Sequence, residues 1–350
     1  MMVLSFIVLL GIGLIWFFTS CRNNTKNTSG IKKLDYGFTI VAGTVQFYDE
    51  PVAGADAVTF TVLDEYYCKD HQTVYFHRSY RESKDYFITK KHYIHLLEGA
   101  DAGSFISLGY GYAKDKTRAW NKDQTWQLSD VESMKVLDYH FVKDKKNVYL
   151  DGHTIAGIES TSFQVLNEHY AKDSIHYYFI QLAADGGRSL QVIPGDHTYF
   201  TILDYPYSKD NKHVFYLGKV LSGADAATFK IIGDSYAKDH QHVYYRASKV
   251  NGADPVSFTL FKENESSLGE TVYARDKNGI YVNDRYFDKA DLGSFTILNE
   301  KYTMDKNAVY YKMEKVKNAD IASFKVYPHY MGDADAEDKN HKYGDGKIVE

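Results

Sequence analysis

Residues 223–245 read GADAATFKIIGDSYAKDHQHVYY, and the pattern in them returns along the whole chain. An acidic residue stands four before an apolar one at Asp56/Phe60, Asp101/Phe105, Asp130/Met134, Glu159/Phe163, Asp196/Phe200, Asp225/Phe229, Asp254/Phe258, Asp291/Phe295 and Asp320/Phe324. Successive starts lie 45, 29, 29, 37, 29, 29, 37 and 29 residues apart, so the base period is 29. Self-similarity at a fixed period of this size marks a repeat architecture. A second landmark is an Asp at 70, 115, 144, 173, 210, 239, 276 and 305. It follows Lys or Arg in every case but one, where Met304 precedes it. Three residues before this Asp, and again five after it, the chain always carries an aromatic, as at Tyr236 and Tyr244 around Asp239.

Within one repeat the alternation has a period of two. In TFKII (228–232) and SFKVY (323–327) the Phe and the second-next aliphatic share a face and the Lys between them points away, which is strand patterning. The Asp-centred cluster after it supplies turn chemistry, since Asp and Asn side chains bond their own backbone. The VYY run then forms a second strand, and the two pair as a β-hairpin. The Gly-Ala-Asp stretch is a turn whose Asp caps a single helical turn. One hairpin buries too little to stand alone, so neighbours stack on its aromatic faces.

The segments DKKNVY (144–149), DKNGIY (276–281) and DKNAVYY (305–311) resemble the DKNYY repeat family of bacterial envelope or secreted proteins. The resemblance covers roughly residues 40 to 345. DKTRAW (115–120) and DSIHYY (173–178) depart from the motif. Residues 45–47 match the VYY strand of a unit whose first half is missing. Residues 337–343 match a degenerate second half, so half-units cap both ends. The expected architecture is an all-β tandem array of about nine 29-residue hairpin units, forming an open solenoid or superhelix. The alternative is a propeller-like closure. It occupies residues 34–350 as one domain, after a signal or anchor (1–20) and a flexible tether (21–33). Extra residues enter the first, fourth and seventh intervals, at 77–92, 180–192 and 261–270. This spacing predicts longer loops along one side.

Residues 1–18 are almost wholly apolar and end in Thr19, Ser20 and Cys21, as a secretory signal does. The Ser20-Cys21 junction resembles a bacterial lipobox, which would make Cys21 the lipid attachment site. Phe18 stands where Leu is usual, and no Lys or Arg precedes the apolar run. The rival reading is an uncleaved anchor helix, for which residues 2–18 are just long enough. Either places the repeats at a bacterial envelope membrane.

The chain carries a net charge of -5 without a large basic block, so a nucleic-acid partner is not expected. Its 31 Tyr and 20 Phe suit half-buried strands. Cys68 occupies a position filled elsewhere by Ala, Val, Ser or Thr, and reads as a small structural residue. The repeated Asp stands beside a cation and comes once per unit. Hard cations want six to eight oxygens, so the Asp is read as turn chemistry and no metal or cofactor is expected. Asp333, Asp335, Glu337 and Asp338 begin like an EF-hand loop but lack its Gly and final Glu, and read as an acidic loop. His71, His77, His92 and His95 gather in the first insertion, yet His92 and His95 fall on opposite strand faces. Catalytic signatures are absent. Tyr80, Tyr86 and Tyr93 lie off the repeat and are the candidate binding surface. The function expected is a binding or scaffolding lipoprotein with a protein or glycan partner. The alternatives are an envelope enzyme acting on glycan material and an immunity-type protein.

Overall fold

The computed structural model describes residues 30–262, 271–331 and 333–349. The chain divides into two compact units, Met1–Gln127 and Leu128–Glu350. The first holds three four-stranded antiparallel sheets, at residues 31–51, 61–96 and 106–126. The second holds seven, at 135–155, 164–193, 201–220, 230–249, 259–286, 296–315 and 325–348. They are called the first to the tenth sheet in chain order. Among the described residues strand pairing stays within each sheet, and no sheet closes into a barrel. The chain is therefore the all-β tandem array that its period implies. Among the described residues no helix is long and apolar enough to cross a membrane.

The seventh sheet shows how the sequence builds a unit. Asp225 accepts Thr228 N–H and Phe229 N–H on its backbone carbonyl and Ala227 N–H on its side chain, closing a single turn. Strands Lys230–Gly233, Tyr236–Lys238, Val243–Tyr245 and Ser248–Lys249 follow as a meander. Tyr236 pairs with Tyr245, Ala237 with Tyr244 and Lys238 with Val243. The expected hairpin of the TFKII and VYY strands is corrected: Tyr236–Lys238 lies between them and pairs with both, and a further short strand follows the VYY strand. Four strands fit into 29 residues because each is only two to four residues long.

Both faces of the seventh sheet are buried. Tyr236, Val243 and Tyr245 pack on Phe258, Ala274 and Tyr281 of the next sheet. Ala237 and Tyr244 pack on Tyr207, Val214 and Leu221 of the one before. The two fixed aromatics of the repeat therefore face opposite neighbours, and each fully buried ring contributes roughly 2–3 kcal/mol by area. The small residue between them, Ala237, packs against the previous sheet. Cys68 fills this position in the second sheet, fully buried beside Phe38 and Phe60, and burial pushes its thiol up.

Both ends depart from the half-units expected. Phe38–Val41 and Thr44–Phe47 pair as the middle strands of a complete first sheet. A two-residue turn at Ala42 (φ 49°) and Gly43 (φ 80°) replaces the Asp turn, as left-handed dihedrals allow in a tight hairpin. Its first strand, Ile31–Lys33, lies inside the stretch read as tether. The tenth sheet is likewise complete. Asp335 and Glu337 lie in its strand Ala334–Glu337 rather than in an acidic loop.

In a meander the connection between strands two and three leaves one end of the sheet, and the other two connections leave the opposite end. The Asp turn occupies the first end. At the far end the remaining loops bond each other, as Arg246 N–H does to Ser235 O at 2.7 Å. The first insertion extends strands Val74–Arg81 and Lys90–Leu96, and the second extends Tyr177–Leu182 and Arg188–Ile193. The third enters between strands one and two of the eighth sheet, where residues 263–270 lie outside the described residues. The first and second insertions therefore project from the far ends of their own sheets.

Candidate binding surfaces

The repeated Asp is a structural anion, and in the seventh unit its carboxylate accepts four hydrogen bonds. Asp239 Oδ1 accepts Gln241 N–H at 2.7 Å and His242 N–H at 2.6 Å. Its Oδ2 accepts Asp225 N–H at 2.9 Å and lies 3.0 Å from the Tyr244 hydroxyl. Burial pushes this carboxyl up, but the three backbone N–H donors and the Tyr hydroxyl outweigh it and hold it below the ordinary range. The same turn forms at the two units that depart from the motif. Thr117 and Arg118 N–H bond Asp115, and Ile175 and His176 N–H bond Asp173. These carboxylates serve as turn acceptors. Among the described residues no group of three or more His, Cys, Asp or Glu could hold a metal.

The acidic cluster near the C-terminus is absorbed in the same way. Asp335 accepts the Tyr302 hydroxyl at 2.7 Å, Glu337 pairs with Lys325 at 2.8 Å, and Asp338 is the turn Asp of its unit. His77 is buried against Phe38, with its Nε2 3.1 Å from Asp64 O. His92 stacks on Tyr48 with ring centroids 3.5 Å apart. It pairs across the strands with Ser79, whereas His95 pairs with Phe76 on the other face.

Tyr80, Tyr86 and Tyr93 all sit on the first long hairpin, but it divides them. Cross-strand pairing sets Arg78 opposite Tyr93, and Tyr80 follows two residues on along the same face. The Arg78 guanidinium lies 4.8 Å from the Tyr80 ring centroid and 5.7 Å from that of Tyr93, a cation held between two aromatics. Tyr86 is at the tip, 86 % exposed, beside Phe87 and Ile88, which is 75 % exposed. The tip is braced from below, with Arg81 Nη1 donating to Phe87 O at 2.7 Å and Ile88 O at 3.2 Å. Tyr86 and Phe87 both hold positive φ, 54° and 60°. Sequence reasoning missed Arg78, Phe87 and Ile88. The run YFI at 86–88 was the available signal for the last two. Cys21 lies outside the described residues.

No curated protein and no solved structure matches the chain. The model of the DKNYY family matches it over residues 38–181, 125–248, 236–289 and 285–347. That span contains every Asp turn described above, and the chain belongs to the DKNYY family.

Proposed function

We propose that this protein is a non-catalytic binding module, held at a bacterial envelope membrane by its N-terminus and engaging a protein partner through the tip of its first long hairpin. The observation that supports this reading is the exposed Tyr86-Phe87-Ile88 tip, braced by Arg81. A rigid aromatic and aliphatic knob of this kind is what fills a pocket on a partner protein. The repeated Asp and Tyr are spent within the fold, which leaves the inserted segments to carry specificity. Lipid attachment at Cys21 would tether the array.

A photo-crosslinking residue at position 86 in the full-length chain tests the contact in its native setting. A discrete crosslinked protein is expected, and it should vanish when Ile88→Asp is added. No crosslink, or one indifferent to Ile88→Asp, would refute the tip as the contact. Cys21→Ala should abolish fatty-acid labelling and change fractionation. Unchanged labelling would refute the tether.

A further inference from the structure

The first and second insertions build the same device with different side chains. In the second sheet Tyr67 pairs with Phe76, and in the fifth Tyr170 pairs with Phe179. Counting outward from these pairs on the same face aligns the two long hairpins. In the first, Arg78 stands opposite Tyr93, and Tyr80 opposite Lys91. In the second, Gln181 stands opposite Ser189, and Ala183 bonds Gly187 O across the hairpin. Four large side chains are thus replaced by Gln, Ser, Ala and Gly. This face is the one turned towards the following sheet, since Phe76 packs with Phe105 and Trp120 and Phe179 packs with Phe215.

The missing volume is left as a groove of about 700 Å³ between the second hairpin and the sixth sheet. That lies within the range of roughly 300–1,000 Å³ typical of small-molecule sites. Its walls are apolar and uncovered, with Leu182 67 % and Tyr205 58 % exposed, and Phe179 contributes to the lining. Its polar wall is fixed. Gln181 Nε2 donates to Gln191 Oε1 at 2.5 Å, and Gln191 Nε2 donates to Gly218 O at 3.1 Å. The lining contains Lys219 and no Asp or Glu. Lys219 makes no ion pair among the described residues.

We infer that this groove is a binding site for an amphiphile with a long apolar body and one anionic headgroup, the headgroup meeting Lys219. An apolar trough favours an acyl chain by the area it removes from water. Lys219, the one Lys or Arg in the lining, sets the charge of the head. The free acid and a membrane lipid share this chemistry, and the inference commits to the free amphiphile.

The test titrates the chain with palmitate, with hexadecanol, and separately with anionic phospholipid vesicles. Palmitate should bind one equivalent, and hexadecanol at least about tenfold more weakly. Ala183→Tyr/Ser189→Tyr, which restores the Tyr80 and Tyr93 of the first hairpin, should abolish binding while thermal melting is retained. Lys219→Met should erase the preference for palmitate over hexadecanol. Binding to vesicles alone would overturn the inference, as would undiminished palmitate binding in the double variant. Equal affinity for acid and alcohol in the wild type would overturn the headgroup assignment.

Discussion

The Tyr244 hydroxyl lies 3.0 Å from Asp239 Oδ2, five residues back along the chain, and both groups are buried. The contact recurs as Tyr149–Asp144 at 2.8 Å, Tyr178–Asp173 at 2.7 Å, Tyr281–Asp276 at 3.1 Å, Tyr310–Asp305 at 3.2 Å and Tyr343–Asp338 at 2.8 Å. Where Phe215 replaces the Tyr, His213 Nδ1 approaches Asp210 Oδ2 at 3.2 Å instead. A buried carboxylate left without donors is expensive, so the aromatic at this position packs the core and completes the anion's hydrogen bonds at once.

Removing either partner should separate these two roles. Tyr244→Phe keeps the ring and loses one bond to a charged group, which costs about 1.5–3 kcal/mol. Asp239→Asn turns amide hydrogens towards the N–H of Asp225 and the Tyr244 hydroxyl. It strands buried donors at about 1–3 kcal/mol each. Urea unfolding should rank wild type above Tyr244→Phe above Asp239→Asn. A reversed order would mean that the Tyr244 hydroxyl matters more than the charge on Asp239.

The same network sets the response to acid. The carboxyls of Asp70, Asp115, Asp144, Asp173, Asp210 and Asp239 are all held below their ordinary 3.8. Burial opposes ionisation, and the N–H donors more than offset it. Asp338 is brought to about 2 by the same balance. Folded values below the unfolded ones mean that this stability is complete above about pH 4 and is lost as pH falls through the folded values. Circular dichroism should show a steep acid transition between about pH 4 and 2. Stability that is flat across that window would contradict the assignment.

The period, the Asp turn, the TFKII and VYY strands and the two fixed aromatics could all be read in the sequence, because each is a local relation repeated many times, whereas the strand Tyr236–Lys238 that separates those two was missed. The fourth strand could not be read, since two residues such as Ser248 and Lys249 are too few to show alternation. The first sheet was hidden because Ala42-Gly43 turns the chain by backbone dihedrals alone, without the Asp that marks every other unit. Tyr80 and Tyr93 were visible as off-repeat aromatics. Their shared hold on Arg78 depends on a register that is visible only once the hairpin tip is placed. The groove had no local signature, because Leu182, Tyr205 and Lys219 come from different strands and loops and meet only when sheets stack.

His77 gives the first compact unit a second, milder pH dependence. Burial pushes its imidazole down to about 4 from 6.5, so the folded ring stays neutral where the unfolded one is protonated. Its stability is complete above about pH 6.5 and is lost progressively as pH falls towards 4, at most about 3 kcal/mol. Thermal melting of the wild type should fall between pH 7 and 5, and His77→Phe should flatten that slope. An equal slope in the variant would place the titrating group elsewhere.

In four units the Lys before the Asp reaches into the next repeat. Lys238 Nζ lies 2.7 Å from Pro255 O and 3.3 Å from Phe258 O, the carbonyls of the following turn. Lys69 does the same to Ala102 and Phe105, and Lys143 to Ser160, Thr161 and Phe163. In an array whose stability is a sum of repeat and interface terms, this ammonium strengthens the interface while leaving its own hairpin untouched. Met304 shows that an apolar stem fits the position without the charge. Lys238→Met should therefore keep the packing, lose about 1–3 kcal/mol of charge-assisted bonding, and weaken the coupling between the seventh and eighth sheets. Hydrogen exchange should show faster opening at Phe258 N–H, with Lys238 N–H and Val243 N–H in its own sheet little changed. Equal acceleration in both places would mean that the Lys holds its own hairpin instead.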